Sequence, residues 1–136
     1  GIAAGVLDVV CVPLKGPPMS RGAREVARLI KAMGGDERSA YGLAHLGDYE
    51  TTLFSPYSHN RKYGEMLAKG QRFEKLAEGV TTSAAMCFLG EKYHVELPIT
   101  EAVHTVCYGE PGDDGARCRE AISRLFARST KPELYD

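Results

Sequence analysis

Apolar residues recur at spacings of three and four along almost the whole of this 136-residue chain, and sustained alternation of apolar and polar residues is nearly absent. Spacings of three and four align side chains on one face of a helix, whereas a half-buried strand requires a period of two. After residue 20, for example, one helical face carries Ala23, Val26, Ala27, Ile30 and Met33. The pattern therefore predicts an all-α fold.

Breaking and capping residues divide this pattern into about six or seven helices. The first spans residues 2 to about 12 and is apolar nearly all round, so we expect it at the centre of the fold. Breakers at residues 13–18 close it, Ser20 is a candidate cap for the second helix, and Gly34 and Gly35 end that helix. Further helices are predicted from Asp36, from Ser58 to Gly70, from about Thr81 to Tyr93 with Ala84, Ala85, Phe88 and Leu89 buried, after residue 100, and from about Asp113 to Ala127.

The length and the 43% hydrophobic content suffice for one compact domain and leave little room for a second core. Lysine and arginine number 17 against 18 acidic residues, so no overall field draws the chain to nucleic acid or to anionic lipid. The longest apolar stretch, residues 1–14, is interrupted by Asp8 and is too short for a membrane span. We therefore expect no nucleic-acid or membrane partner, and any anion site must be local.

The cysteines and histidines show no metal-ligand or disulfide spacing. Cys11, Cys87, Cys107 and Cys118 form no C-x-x-C pair and lie in apolar runs, which indicates buried thiols in a reducing compartment, and hence a cytoplasmic protein. Packing is the favoured interpretation of the scattered histidines, and we expect no metal. Those histidines are His45, His94 and His104.

The chain opens on Gly-Ile-Ala-Ala-Gly, in the middle of an apolar pattern and without a methionine or a helix cap. We interpret residues 1–136 as a fragment, with natural truncation and proteolysis as the two alternatives. A partner domain would then cover part of the surface. We expect a poorly buried apolar area around residues 1–10 and the loop at Asp48, which homodimerisation could also cover.

Residues 47–64 contain the groups best suited to chemistry. A helix N-terminus offers unpaired backbone N–H groups and a partial positive charge, and the helix predicted from Ser58 adds His59, Asn60, Arg61 and Lys62 in its first turn. Exposed basic side chains in a first turn oppose the helix dipole by about 0.3–1 kcal/mol each. A phosphate would relieve this conflict, although a solvated charged face is the simpler alternative.

Asp48 and Thr52 lie four residues apart in the loop that precedes this turn. A carboxylate and a hydroxyl at that spacing could orient a substrate hydroxyl or a catalytic amine. The alternative is that they cap the loop.

Several of these motifs resemble one family. Gly-Leu-Ala-x-Leu-Gly-Asp at residues 42–48, Thr52, and Ser-x-Asn-Arg-Lys-Tyr-Gly at residues 58–64 are similar to the bacterial NAD(P)-dependent glycerol-3-phosphate dehydrogenases. Similarity in the expected order covers nearly the whole chain, and this makes it more specific than any single motif. The other matching segments are residues 2–5, 20–22, 78–80 and 97–103.

The resemblance implies a two-domain enzyme that interconverts dihydroxyacetone phosphate and sn-glycerol 3-phosphate by hydride transfer with NAD or NADP. Residues 1–136 would be its C-terminal, substrate-binding helical domain, similar to the C-terminal domain fold of 6-phosphogluconate dehydrogenase. The Rossmann domain would be absent. The family's catalytic lysine corresponds to a position just upstream of Gly1, so this chain alone is expected to be inactive.

The resemblance also assigns roles to individual residues. It implies catalytic roles for Asp48, which would hold the lysine ammonium in place, and for Thr52. The remaining roles are substrate binding by Asp48, Ser58, His59 and Asn60, and cofactor binding by His59, Leu76 and Glu78.

Two departures from the family pattern affect these expectations. His59 stands where the family has an arginine, and residues 70–78 form a shorter segment than in the bacterial pattern. A guanidinium is always charged, whereas histidine titrates near neutral pH, so phosphate affinity should be weaker and pH-dependent. The alternatives are a related dehydrogenase for another small hydroxy acid, with no need for phosphate, and a non-catalytic interaction module.

Overall fold

A computed structural model describes residues 2–9, 16–42, 55, 57–71, 73–109 and 114–127 of the chain. Within these ranges there are six α-helices, one 3-10 helix and no strand, which confirms the all-α prediction. The helices are α1 (Ile2–Val9), α2 (Gly16–Ala32), the 3-10 helix (Glu37–Tyr41), α3 (His59–Ala68), α4 (Glu78–Tyr93), α5 (Pro98–Cys107) and α6 (Asp114–Ala127). None of these described helices is long and apolar enough to cross a membrane.

Helix α1 lies at the centre, as its apolar sequence predicts. Ile2, Ala4, Val6 and Leu7 are all buried, and α1 packs mainly on α3 and less extensively on α5. The expectation that residues 1–10 form a poorly buried surface is therefore wrong for these four residues, because the neighbouring helices already cover them. The other part of that expectation, the loop at Asp48, lies outside the described residues.

Helices α1 and α3 touch through their backbones. A methyl group added at Gly5 would overlap the carbonyl oxygen of Arg61 and would lie 2.7 Å from the nitrogen of Glu65. A methyl group at Gly64 would likewise overlap the carbonyl oxygen of Ile2. Glycine is required at both positions for space, and the contact fixes where α3 begins relative to α1.

Four helices meet in one hydrophobic cluster. Val6 of α1, Ala68 of α3, Val106 of α5 and Cys118 of α6 are its buried members. The prediction that Ala116 of α6 faces the core is wrong, because that residue is exposed. Small side chains at Ala68 and Cys118 let the helix ends approach closely.

Helix α2 begins earlier than predicted. It starts at Gly16, so Ser20 lies inside the helix and is not its cap. Pro17 and Pro18 occupy the first turn, where a backbone N–H has no intrahelical partner and proline is tolerated. The predicted end is confirmed, since α2 stops at Ala32 and Gly34 follows with a φ of +90°.

Burial on α2 differs from the predicted apolar face. Ala23 and Ala27 are buried as expected, but Met33 is 48% exposed, and Glu25 and Leu29 are buried instead. The carboxylate of Glu25 accepts hydrogen bonds from the backbone nitrogens of Ile99 and Thr100 and from the Thr100 hydroxyl, the last two at 3.1 and 2.9 Å. Glu25 therefore caps the first turn of α5 across the interface between two helices.

Helix α4 begins at Glu78, three residues before the predicted start. Its buried residues are Ser83 and Gly90, whereas Phe88 is 66% exposed and Ala85 is exposed, contrary to the prediction. The helix is apolar on several sides, so periodicity does not select a face. The packing selects it: a methyl group at Gly90 would lie 3.0 Å from Leu97 Cδ1.

Replacing either crossing glycine should destabilise the fold. We expect Gly5→Ala and Gly64→Ala each to lower the free energy of unfolding by about 3 kcal/mol, because backbone atoms cannot move aside as a side chain can. This exceeds the helix-propensity gain of about 1 kcal/mol from alanine. Gly42→Ala is the matched control, since its φ is −81° and the nearest atom to its added methyl is Ser39 O at 3.6 Å. Urea denaturation measures all three, and equal stabilities would contradict the backbone contact.

Glu25 should make stability depend on pH. Burial raises the pKa of Glu25 above 4.5, although its hydrogen bonds to Ile99 and Thr100 oppose that shift. The native state therefore holds the proton of Glu25 more tightly than the unfolded chain does. The resulting contribution to the free energy of unfolding is complete below pH 4.5 and is lost as pH rises through the native-state pKa.

Glu25→Gln cannot ionise and keeps one oxygen acceptor, so relative to it the wild type should lose stability from pH 4.5 upward. Glu25→Ala removes the acceptor altogether and should cost about 1–3 kcal/mol at every pH. Urea denaturation across this range measures the effect. Parallel pH profiles for the wild type and the glutamine variant would show that this carboxyl group is not responsible.

Candidate functional site

The chain enters α3 through a hydrogen-bonded turn. Ser55 Oγ accepts a hydrogen bond from the Tyr57 nitrogen at 3.2 Å, and the Ser58 nitrogen donates to Ser55 O at 3.4 Å. Ser58 has extended backbone angles, and its Oγ accepts from the Arg61 nitrogen at 3.3 Å. Ser58 is therefore the N-cap of α3, and the helix itself begins at His59, one residue after the predicted start at Ser58.

The first turn of α3 presents positive charge to the N-terminal end of the helix. It contains no acidic residue, and Lys62 is exposed. The guanidinium of Arg61 is largely buried and lies 3.4 Å from Glu65, one turn further along the helix. The charge that faces solvent at this end is therefore that of the helix dipole, of Lys62 and of His59 when it is protonated.

A segment of residues 73–79, which leads into α4, lies along this turn. His59 Nδ1 is 3.0 Å from the carbonyl oxygen of Leu76. The ring of Phe73 meets the His59 ring edge-on at a centroid distance of 5.9 Å, and the Tyr63 ring at 6.2 Å. The 73–79 segment is thus held against α3 by one polar and two aromatic contacts.

Asn60 adds a second polar link to the 73–79 segment. Its Oδ1 accepts a hydrogen bond from the Gly79 nitrogen at 2.9 Å. A methyl group at Gly79 would lie 3.0 Å from that oxygen and 3.0 Å from Ile2 Cδ1. The start of α1, the first turn of α3 and the first turn of α4 therefore meet at one point, which we call the three-helix junction.

The geometry of Asn60 defines what its amide can do. Because Oδ1 accepts from Gly79, the Nδ2 group is the donating end of the side chain. His59 is similarly oriented, since Nδ1 faces a carbonyl oxygen that can only accept. Both side chains have one end fixed by the 73–79 segment and the other end directed elsewhere.

The structure brings together five of the seven residues that the sequence singled out. Glu78 is the first residue of α4 and is exposed, and it is adjacent to Gly79. Asp48 and Thr52 lie outside the described residues. The five at the three-helix junction are Ser58, His59, Asn60, Leu76 and Glu78.

The sequence did not indicate roles for Phe73 or Gly79. Phe73 lies in a short connector, where an isolated aromatic residue has no periodic partner, so its contact with His59 was not predictable from spacing. Gly79 belongs to a recognisable motif, and a glycine in the first turn of a helix is an available signal of close approach.

Exposed apolar side chains flank the three-helix junction. Tyr57 is 84% exposed and Leu76 is 71% exposed. Tyr57 immediately precedes the cap residue Ser58, and the Leu76 carbonyl contacts His59. Exposed apolar side chains therefore lie beside the candidate site, whereas Ile2, Ala4, Val6 and Leu7 of α1 are buried.

Burial disfavours ionisation of the three described thiols. Burial raises the pKa of Cys107 to about 11, against a lowering contribution from its hydrogen bond with Tyr63. Burial also raises the pKa values of Cys87 and Cys118, and all three described cysteines are free. Burial therefore opposes thiolate formation at all three of these groups.

The described histidines and cysteines form no candidate metal site, since no three metal-binding side chains cluster in the described ranges. His94 and His104 instead line a separate cleft of about 580 Å³ between α4 and α5. His94 ends α4 with a φ of 56°.

Ser58 should stabilise α3 as a cap. We expect Ser58→Ala to lower the free energy of unfolding by about 1 kcal/mol, because the Arg61 nitrogen loses its acceptor. Ser58→Asp is the control, since a carboxylate can accept the same hydrogen bond and also complements the helix dipole. Urea denaturation should rank the aspartate variant with the wild type, and an aspartate variant as unstable as the alanine variant would count against the capping role.

Comparison with known proteins matches the sequence of this chain to one family. The family model described as NAD-dependent glycerol-3-phosphate dehydrogenase C-terminus matches residues 1–114. Glycerol-3-phosphate dehydrogenase (NAD(P)+) 1 of Salinibacter ruber is 37% identical over 143 residues, covering 98% of this chain and 40% of that protein.

The NAD(P)+ glycerol-3-phosphate dehydrogenase of Thermobifida fusca is 40% identical, over 86% of this chain and 35% of its own length. Enzyme 2 of Mycobacterium bovis is 39% identical, over 85% of this chain and 35% of its length. The chain thus spans 35–40% of these relatives. It belongs to the family of NAD-dependent glycerol-3-phosphate dehydrogenase C-terminal domains.

Proposed function

We propose that this chain is the substrate-binding C-terminal domain of an NAD(P)-dependent glycerol-3-phosphate dehydrogenase. Joined to a dinucleotide-binding domain, it would interconvert dihydroxyacetone phosphate and sn-glycerol 3-phosphate. The observation that carries the proposal is the placement of Ser58, His59 and Asn60 at the start of α3, in a chain that belongs to this family.

The start of α3 has the donors that a phosphate requires. The Ser58 hydroxyl accepts from the Arg61 nitrogen and so directs its own hydrogen elsewhere, and the Nδ2 group of Asn60 is a donating end. Backbone N–H groups of the first turn add to the positive end of the helix dipole. Binding the phosphate here would anchor a small substrate and orient its carbonyl for reaction.

His59 would contribute to this site only when it is protonated. Its Nδ1 faces the Leu76 carbonyl, so the neutral ring carries its hydrogen on Nδ1 and an acceptor lone pair on Nε2. Protonation adds an N–H donor at Nε2 and a positive charge. The arginine of the family would supply both at every pH, so phosphate affinity in this protein should fall as pH rises.

The 73–79 segment would provide the cofactor contacts of this domain. Leu76 offers an exposed apolar side chain and Glu78 an exposed carboxylate at the start of α4, which fit a flat ring and a donor group of the cofactor respectively. NAD or NADP, when bound, supplies or accepts the hydride. The choice between the two would lie in the dinucleotide-binding domain.

Asp48 and Thr52 complete the proposed catalytic groups. The carboxylate of Asp48 would hold a lysine ammonium in place and contact the substrate, and Thr52 would orient the same groups. By the resemblance, that lysine would lie close to the start of α1, and Ile2 lies at the three-helix junction beside Gly64 and Gly79. This proximity supports a site shared by the start of α1 and the start of α3.

We also propose the interface, the partners and the cellular location of this domain. The exposed side chains of Tyr57 and Leu76 fit an interface with the dinucleotide-binding domain or with a second copy in a homodimer. The nearly balanced charge, 17 basic against 18 acidic residues, gives no reason for a nucleic-acid partner. We propose a cytoplasmic location, and the free thiols of Cys87, Cys107 and Cys118 support it.

Kinetics of the enzyme that carries this domain joined to its dinucleotide-binding domain test the proposal. Asn60→Ala should raise KM for dihydroxyacetone phosphate by the equivalent of about 1–3 kcal/mol, because a donor to a charged oxygen is lost. Lys69→Gln is the control, since it removes a positive charge from the opposite end of α3 and should leave KM unchanged.

His59→Arg should lower KM at pH values above neutrality and flatten its rise with pH. The measurement is initial-rate kinetics with NADH and NADPH across that range. Equal turnover of an unphosphorylated hydroxy acid would favour the related dehydrogenase instead. Absence of turnover on either substrate would favour an interaction module.

A further inference from the structure

We propose that Asn60 is a positioning residue whose side-chain amide couples anion binding at the start of α3 to the placement of the 73–79 segment. The inference rests on the proposed phosphate site for one end of the coupling. It adds that this site and the cofactor-side residues Leu76 and Glu78 respond to each other through a single amide group.

Two consecutive residues of α3 hold the 73–79 segment in place. Asn60 bonds the Gly79 nitrogen at 2.9 Å, and His59 Nδ1 lies 3.0 Å from the Leu76 oxygen. These contacts bracket Glu78, which lies between the two bonded backbone groups and whose own side chain is exposed. The backbone position of Glu78 is therefore set by α3 on both sides.

The space around Gly79 makes the link stiff. A methyl group there would already lie within 3.0 Å of both Asn60 Oδ1 and Ile2 Cδ1, so the backbone has little room on that side. The Asn60 amide is therefore fixed by Gly79 at its Oδ1 end, and an anion bound at Nδ2 would fix its other end. Because the amide group is rigid, a displacement of one end also displaces the other end.

Hydrogen bonding through one amide is cooperative. When Nδ2 donates to an anion, electron density shifts toward Oδ1 and strengthens its acceptance from Gly79, by about 10–30% per bond. The anion also restricts the side-chain rotamer, so that less entropy is lost in holding Gly79. By linkage, anything that holds the 73–79 segment in place must raise anion affinity by the same factor.

Amide hydrogen exchange of this chain, followed by NMR during titration with inorganic phosphate, tests the coupling. Chloride at equal ionic strength is the reference. Saturating phosphate should slow exchange of the Gly79 amide by about fivefold, the lower end of typical couplings between sites. In Asn60→Ala, Gly79 should exchange faster and should not respond to phosphate.

Asn60→Asp separates the two ends of the side chain. Its carboxylate keeps an acceptor for Gly79 but loses the Nδ2 donor and repels phosphate, so Gly79 exchange should stay slow and unresponsive. This conservative rescue distinguishes a positioning role from general loss of structure. Lys69→Gln, at the far end of α3, should behave as the wild type.

The outcomes separate the two proposals. Phosphate-induced shifts at Ser58, His59 and Asn60 without slower exchange at Gly79 would overturn the coupling and leave the phosphate site standing. The absence of phosphate-induced NMR shifts at those three residues would overturn both the phosphate site and the coupling. An Asn60→Ala chain whose Gly79 amide still responds to phosphate would show that the coupling runs through other atoms.

Discussion

The backbone contact between α1 and α3 determines where every other part of the candidate site lies. Gly5 and Gly64 leave no side chain between the two helices, so their separation and rotation are set by main-chain atoms. That contact brings Ile2 against Gly64 of α3 and against Gly79 at the start of α4. The three-helix junction is therefore a consequence of close packing, and the polar contacts of Asn60 and His59 are built upon it.

Sequence patterns predicted the helices and their ends better than their faces. The stop at Gly34 after α2 and a helix start within one residue of Ser58 follow from local chemistry that is independent of the rest of the chain. Ser20 was misassigned because prolines both break a helix and suit its first turn, and only the fold distinguishes the two. Phe88 was misassigned because α4 is apolar on several sides, and the face that packs is chosen by small residues such as Gly90.

In the candidate site, too, local features were predictable from the sequence and contacts between distant residues were not. Ser58, His59 and Asn60 are adjacent in the chain, so one capped turn predicts their shared location. Their contacts with Leu76 and Gly79 join residues 17 and 19 positions apart, and no period connects residues across a loop of irregular structure. The resemblance marked Leu76 and Glu78 by position alone. That Asn60 turns its oxygen toward Gly79, and hence its nitrogen outward, depends on a contact that only the fold creates.

The first turn of α3 explains why a histidine is physically acceptable at position 59. With no acidic residue in that turn, each fixed positive charge there opposes the helix dipole whenever no anion is bound. Arg61 avoids much of this penalty because its guanidinium lies beside Glu65. A neutral histidine carries no such charge, and Nδ1 of His59 lies against the Leu76 carbonyl. Position 59 therefore contacts the Leu76 carbonyl through Nδ1, and a guanidinium in its place would add a fixed positive charge that no acidic residue of this turn offsets.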